Sequence, residues 1–248
     1  MKTISILAIL VLFLSCEEKP SLTANTIIDK AIEASCQGNC DHAELNFVFR
    51  KVKYKSIREG EKYIFERNFI DSTGNVRDVL SNDGFKRYRN DSLQIVADTT
   101  AHKYAESVNS VHYFAQLPYG LNAPAAKKEL LGEATIKDKN YYEIGVTFSE
   151  EGGGTDFEDK FVYWVDKETF QLDYLAYSYA VNGGGVRFRE AYNPRVVEGI
   201  RFVDYNNYKP ASLEIPLTDL DSLFQKNELE LLSKIETENV EVTLLKDN

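Results

Sequence analysis

Apolar positions recur along this 248-residue chain with three different spacings, and each spacing predicts a different kind of element. The first is continuous: Ile4 to Leu14 is apolar except for Ser5, with Lys2 before it and Ser15-Cys16 after it. A run of that length covers roughly half of a ~30 Å hydrocarbon core, so it predicts the core of an export signal, not a permanent membrane span. The second spacing is helical. Ile27, Ile28, Ala31 and Ile32 share one face, Thr26 stands where a cap is needed with Asp29 three positions on, and Gly38-Asn39 ends the run. From Ala43 the spacing becomes two. Leu45, Phe47 and Phe49 alternate with polar residues, and after a turn at Gly60 so do Tyr63, Phe65 and Phe69, which predicts a long antiparallel hairpin.

Short strands are expected at Val76–Leu80, Phe85–Tyr88 and Leu93–Val96, separated by Asn82-Asp83-Gly84 and Asn90-Asp91. Between Thr99 and Tyr119 the helical spacing returns through Tyr104, Val108, Val111 and Ala115, and Pro118 ends it. The meander resumes beyond Leu131. Tyr142, Ile144, Val146 and Phe148 alternate, then strands follow at Phe161–Val165, Phe170–Ala180, Val186–Tyr192 and Gly199–Tyr208. Turns are read at Gly152-Gly153-Gly154, Asp166–Thr169, Asn182–Gly185 and Asn193-Pro194. Thr218 can cap a short helix through Phe224, and Val240, Val242 and Leu244 form a last strand. Fifteen Tyr and fourteen Phe against one Trp and one Met favour sheets with one packed and one wet face. The fold class expected from the pattern is mainly β: a meander of antiparallel strands interrupted by a few helices. Residues 1–15 are read as a signal peptide, 16–24 as a tether and 25–248 as a single domain.

A formal charge of −10, without a basic cluster, makes nucleic acid a poor partner. Ser15-Cys16 after an apolar run is the pattern of a bacterial lipoprotein signal, with Phe13 in the place usually held by Leu. Lipidation of Cys16 is expected, and with it a partner in the membrane and a place in the cell envelope, anchored to the outer membrane. Cys36 and Cys40 are then left as a pair, and a local disulfide is the leading reading. The alternative is a soft-metal set of Cys36, Cys40, Asp41 and His42. Glu150, Glu151, Asp156, Glu158 and Asp159 form an acidic turn whose spacing does not match a calcium loop. The glycine triplets lack the following helix that a phosphate loop requires. No cofactor and no metal are expected.

Catalytic signals are sparse. Three histidines limit acid–base schemes, and no nucleophile elbow or paired metal-binding histidines occur. His112, near Ser107 and Ser110, is the one candidate for a hydrolase, weighed against a packing role. The expectation leans away from an enzyme, no catalytic residue is assigned, and a ligand-free envelope scaffold is the other alternative. Arg187, Arg189 and Arg201 beside Glu190 and Glu198 predict cross-strand ion pairs.

The stretches Ser107–Leu121, Asp173–Tyr179 and Gly183–Glu190 resemble an uncharacterised family of Bacteroidota lipoproteins. Where that family has a His-Gly-Gly run at the end of the first helix, this chain has Ser35-Cys36-Gln37-Gly38. The order of helix, long hairpin, strands, helical insert and a strand ending Tyr163-Trp164-Val165-Asp166 is similar to the lipoprotein-carrier superfamily. That resemblance implies a mainly β fold in which a curved antiparallel sheet forms an incomplete half-barrel, with a few helices packed on the concave side and a cleft that holds acyl chains. The function expected is binding of a hydrophobic ligand, a lipid or acylated cargo. Tyr113, Phe114 and Leu117 on the insert, with Tyr163 and Tyr174 on facing strands, are the expected lining.

Overall fold

The computed structural model describes residues 22–151, 157–180 and 183–246. Cys16, the leader 1–15, most of the tether 16–24 and the glycine run 152–154 lie outside these described residues. Helix α1 (Ala24–Cys36) leads into β1 (His42–Phe49), β2 (Val52–Glu59), β3 (Lys62–Asp71), β4 (Gly74–Ser81), β5 (Gly84–Arg89) and β6 (Ser92–Gln94). Helix α2 (Asp98–Ala115) follows, then β7 (Ala126–Ile136), β8 (Lys139–Phe148), β9 (Lys160–Asp166), β10 (Leu172–Tyr179), β11 (Gly185–Val197) and β12 (Ile200–Lys209). Helix α3 (Leu220–Gln225) precedes β13 (Glu230–Ile235) and β14 (Glu238–Leu244).

The strands form two antiparallel sheets, in the orders β14-β1-β2-β3-β4-β5-β6 and β13-β12-β11-β10-β9-β8-β7. Pairing runs between chain neighbours except where β14 returns to β1. The chain therefore steps from the edge of the second sheet to the edge of the first at Glu236-Thr237, while β6 and β7 stay unpaired with each other. The result is the expected open half-barrel, a mainly β fold that does not close.

Arginine and aspartate fix the corner between the sheets. Arg195 Nη2 donates to Asp204 Oδ1 at 3.0 Å and to the Thr237 carbonyl at 2.6 Å, and the Thr237 amide donates to the same Asp204 oxygen at 3.0 Å. Asn193 Nδ2 donates to Asp204 Oδ2 at 2.7 Å. Asn193-Pro194 is therefore not a turn, as its composition suggested, but a bulge inside β11, where the ladder register shifts between Tyr192 and Arg195. A bulge tolerates proline because no ladder donor is needed there. The turn itself comes at Glu198-Gly199, both with positive φ.

Several other boundaries differ from expectation. Thr23, not Thr26, caps α1, its side chain accepting from the Thr26 amide at 3.2 Å. The expected long hairpin is three strands, because Arg50-Lys51 (φ 50° and 67°) makes a two-residue turn without the glycine or asparagine that announces one. Lys137-Asp138 (φ 49° and 66°) does the same between β7 and β8.

The faces of the second sheet are both covered. On β9, Phe161, Tyr163 and Val165 join the layer containing α1 and α2, while Val162 and Trp164 join Leu220 and Phe224 of α3 on the other side. This corrects the expectation of one wet face: residues 162–166 are buried without a break because α3 shields the outer side. Two helices thus line the concave side and the third covers the convex one.

Candidate functional site

The concave layer is built where the C-terminal half of α2 straddles the two sheets. Toward the first sheet, Phe114 meets Phe49 edge-on at 5.2 Å, and the His112 ring stacks on Phe65 at 4.5 Å while Phe47 and Tyr54 meet it edge-on. Toward the second sheet, the Tyr113 hydroxyl shares a 2.8 Å hydrogen bond with that of Tyr163, and Phe148, Phe161 and Tyr177 extend the aromatic surface. Leu117 is buried in the same cluster. Four of the five expected lining residues, Tyr113, Phe114, Leu117 and Tyr163, are thus brought together. Tyr174 is not among them. It packs against Tyr141, Phe188 and Phe224 in the cluster beneath α3, because on β10 it stands one position from Leu175, which faces inward.

Residues of the layer missed in the sequence are Phe148, Phe161 and Tyr177. The signal for Phe161 was present, since it shares the alternation of Tyr163 on one strand. Arg189 joins them: its guanidinium lies over the rings of Phe114 and Tyr177, donates to the Tyr177 hydroxyl at 2.8 Å, and keeps a buried Nε that no described residue satisfies. Arg187 bonds the Tyr179 hydroxyl at 2.7 Å, and Arg201 pairs with Asp173 at 3.2 Å. The expected pairing of these arginines with Glu190 and Glu198 does not occur; Glu190 pairs with Lys137 at 2.7 Å. Burial and its contact with the Tyr113 hydroxyl push the Tyr163 phenol well above its ordinary range.

His112 is fully buried. Its Nε2 donates to the Glu66 carbonyl at 3.1 Å, and its Nδ1 accepts from Gln116 Nε2 at 3.4 Å. Gln116 Oε1 in turn accepts from Arg58 Nε at 3.1 Å. Desolvation lowers the imidazole pKa to about 4, against the opposing pull of its bond to the Glu66 carbonyl, so the ring is neutral at pH 7. With both nitrogens engaged and three aromatic rings around it, His112 presents nothing to a substrate; its role is to pin α2 to the first sheet.

The N-terminal half of α2 rests on polar ground. Asp78, fully buried, takes Arg67 Nη2 at 2.5 Å and Arg87 Nε at 2.6 Å, and the Arg87 guanidinium lies 3.5 Å over the Tyr104 ring. Of the eighteen residues of α2, only Val108, Val111 and His112 are buried.

Cys36 and Cys40 form the expected disulfide. The loop it closes is docked on the turn after β11 through Asn39 Nδ2, which donates to the Glu198 carbonyl at 3.0 Å. Both sulfurs are thereby withdrawn from the alternative metal set, and Asp41 accepts instead from the Tyr119 hydroxyl. No cluster of metal-ligating side chains occurs among the described residues, and no described helix is long and apolar enough to cross a membrane.

The profile of DUF6503, a family of unknown function, matches residues 2–237. No curated protein matches the chain in sequence. Among solved structures, a LolA superfamily protein from Nitrosomonas europaea is similar with a TM-score of 0.51 at 13% identity, over 92% of this chain and 96% of that one. A DUF1329 family protein from Desulfovibrio piger gives a TM-score of 0.42 at 11% identity, over 88% and 92%. The first likeness extends to the fold, and no residue role is carried across at that identity.

Proposed function

The chain belongs to the DUF6503 family, and from its LolA-like fold we propose that it binds a hydrophobic ligand, a lipid or acylated cargo, between α2 and the two sheets. The observation that carries this reading is the aromatic layer under the C-terminal half of α2, where Phe49, Phe114, Phe148, Phe161 and Tyr177 meet from both sheets and the helix. Side chains fill that layer, so a ligand enters only as α2 lifts from the first sheet and the rings turn aside. The open margin between β6 and β7 supports such a motion. Arg189, with its unsatisfied Nε beside Phe114, supplies a cation for the polar end of an acyl ligand.

Anchoring belongs to the same proposal. Residues 1–15 act as the signal, Cys16 carries the lipid, and residues 16–24 tether a domain of residues 25–248 to the outer membrane. The support is the Ser15-Cys16 pattern after an apolar run. Palmitate labelling of cells is expected to mark the wild-type chain and to be lost in Cys16→Ser; label that survives the substitution removes the anchor.

The binding reading is tested by native mass spectrometry of the purified protein together with titration of a fluorescent fatty acid. Saturable binding is expected in the wild type and at least about a tenfold loss in Phe114→Asp, because a carboxylate in the layer costs several kcal/mol to desolvate. Absence of bound lipid and of fatty-acid binding in the folded wild type would reject it.

A further inference from the structure

The inner face of β11 carries positive charge that no described carboxylate neutralises. Phe188 belongs to the outer cluster beneath α3, so its neighbours Arg187 and Arg189 point to the concave side, opposite Tyr177 and Leu175 of β10. Four arginines stand on the strands of the second sheet. Arg195 pairs with Asp204 at 3.0 Å and Arg201 with Asp173 at 3.2 Å. Arg187 and Arg189 meet only hydroxyls, rings and a main-chain carbonyl among the described residues, in a chain with 39 acidic residues against 29 basic ones. Glu190, next in sequence, lies on the outer face and is taken by Lys137 at 2.7 Å.

The partners of the two arginines are arranged alike. Arg189 Nη2 donates to the Tyr177 hydroxyl at 2.8 Å, and its guanidinium lies 4.9 Å from the Tyr177 ring centre and 5.4 Å from that of Phe114. Arg187 donates through Nη2 to the Tyr179 hydroxyl at 2.7 Å and through Nη1 to the Val186 carbonyl at 2.9 Å. Gly185, paired with Tyr179 across the ladder, leaves room for this: a Cβ there would fall 2.5 Å from the tyrosine ring.

Hydrogen-bonding capacity and charge together define what fits. Each tyrosine oxygen already accepts from an arginine, so each still has its own O–H to give, and Arg189 Nε is buried with no acceptor. The unspent groups around the guanidiniums are therefore mostly donors. One acceptor is left over, Asn207 Oδ1, opposite Arg189 on β12, and it is uncharged. A neutral hydroxyl, amide or ester meets some of these donors but leaves both positive charges uncompensated; a phosphate or carboxylate meets the donors and the charge at once. Position supplies the rest. Tyr177 stacks on Phe161 at 5.7 Å and Phe161 meets Phe148 at 5.9 Å, so an aromatic track leads from the arginines into the layer beneath α2, while Arg187 and Tyr179 stay half-buried at its margin.

Resting on the reading of that layer as an acyl site, we propose that Arg187 and Arg189, with the Tyr177 and Tyr179 hydroxyls, hold the oxyanion head of an acidic amphiphile, a phosphate or a carboxylate, so that anionic acyl ligands are selected over neutral ones. Native mass spectrometry of the purified full chain, titrated below micellar concentrations with oleate, oleoyl lysophosphatidate, mono-oleoylglycerol and inorganic phosphate, tests it. At least one of the two acidic lipids is expected to bind about tenfold or more tightly than the neutral glyceride, and inorganic phosphate far more weakly than either. The ratio of acidic to neutral affinity is expected to fall several-fold in Arg189→Gln and in Arg187→Gln, the latter at a half-buried side chain, and Arg187→Lys, which keeps the charge, is expected to retain more of it than Arg187→Gln. A structural role alone would move all three lipids together and leave that ratio as it was. Equal binding of the three lipids, or a ratio that both Gln substitutions leave untouched in folded protein, overturns the proposal while the hydrophobic site stands. Inorganic phosphate binding as tightly as the lysophosphatidate overturns it in favour of a free-anion site. Binding of no lipid at all overturns the hydrophobic reading and this one with it.

Discussion

Burial holds His112 neutral, and the consequence is a defined pH dependence. The folded-state pKa is about 4 against 6.5 for an unperturbed imidazole. Above pH 6.5 neither state binds the proton and the histidine adds no slope. Between pH 6.5 and about 4 the unfolded chain takes up a proton that the folded chain refuses, so stability falls as pH falls. The loss expected across that window is about 3 kcal/mol. Urea denaturation at the two ends, in the wild type and in His112→Gln, isolates it from carboxylate titration; an equal pH dependence in both proteins contradicts the assignment. Asp78 gives a second case. Asp78→Ala leaves Arg67 and Arg87 without their shared carboxylate and is expected to cost about 3 kcal/mol in the same assay. A packing role for His112 was one of the readings that the sequence allowed, whereas the role of Asp78 was not legible. The arginines of β11 show why: Glu190 follows Arg189 directly and so points to the opposite face of the strand, and only the fold shows that tyrosine hydroxyls are the partners on Arg189's own face.

Turn chemistry decides which elements could be read. Hairpins closed by Asn82-Asp83-Gly84 or Asn90-Asp91 were legible, since those residues accept positive φ. Arg50-Lys51 adopts the same conformation with side chains that announce nothing. Lys51 is exposed, so Lys51→Gly removes left-handed strain without losing packing and is expected to raise stability by about 1 kcal/mol in chemical denaturation; no gain or a loss contradicts that turn geometry. Strands β7 and β13 went unread because exposed residues dominate both, as is common at sheet edges, and alternation fades where neither face is fully buried. The disulfide was the leading reading once Cys16 was set aside for lipid, with a metal set as its alternative. Replacing both Cys36 and Cys40 by Ser is expected to cost about 2 kcal/mol, since the loop closed is short.

At the scale of the molecule, a meander of antiparallel strands curves around α1 and α2 and stays open between β6 and β7. Alternation and turn residues made the antiparallel meander readable and the resemblance to the lipoprotein-carrier superfamily implied its half-barrel form, whereas the corner at Thr237 and the outer cover by α3 depend on long-range contacts that no local pattern encodes. The same limit applied to the candidate site. Four of the five residues expected around the cleft meet in one layer, and Tyr174 joins the opposite cluster because a one-residue offset moves a side chain across the sheet. The central claim, that the layer beneath α2 receives an acyl chain, is tested most directly by photo-crosslinking with a diazirine-bearing fatty acid followed by peptide mapping. Adducts are expected on Tyr113, Phe114, Phe148 and Phe161, and to be displaced by unlabelled fatty acid. Undisplaced labelling, or adducts confined to the convex side around Leu131 and Leu217, would contradict it.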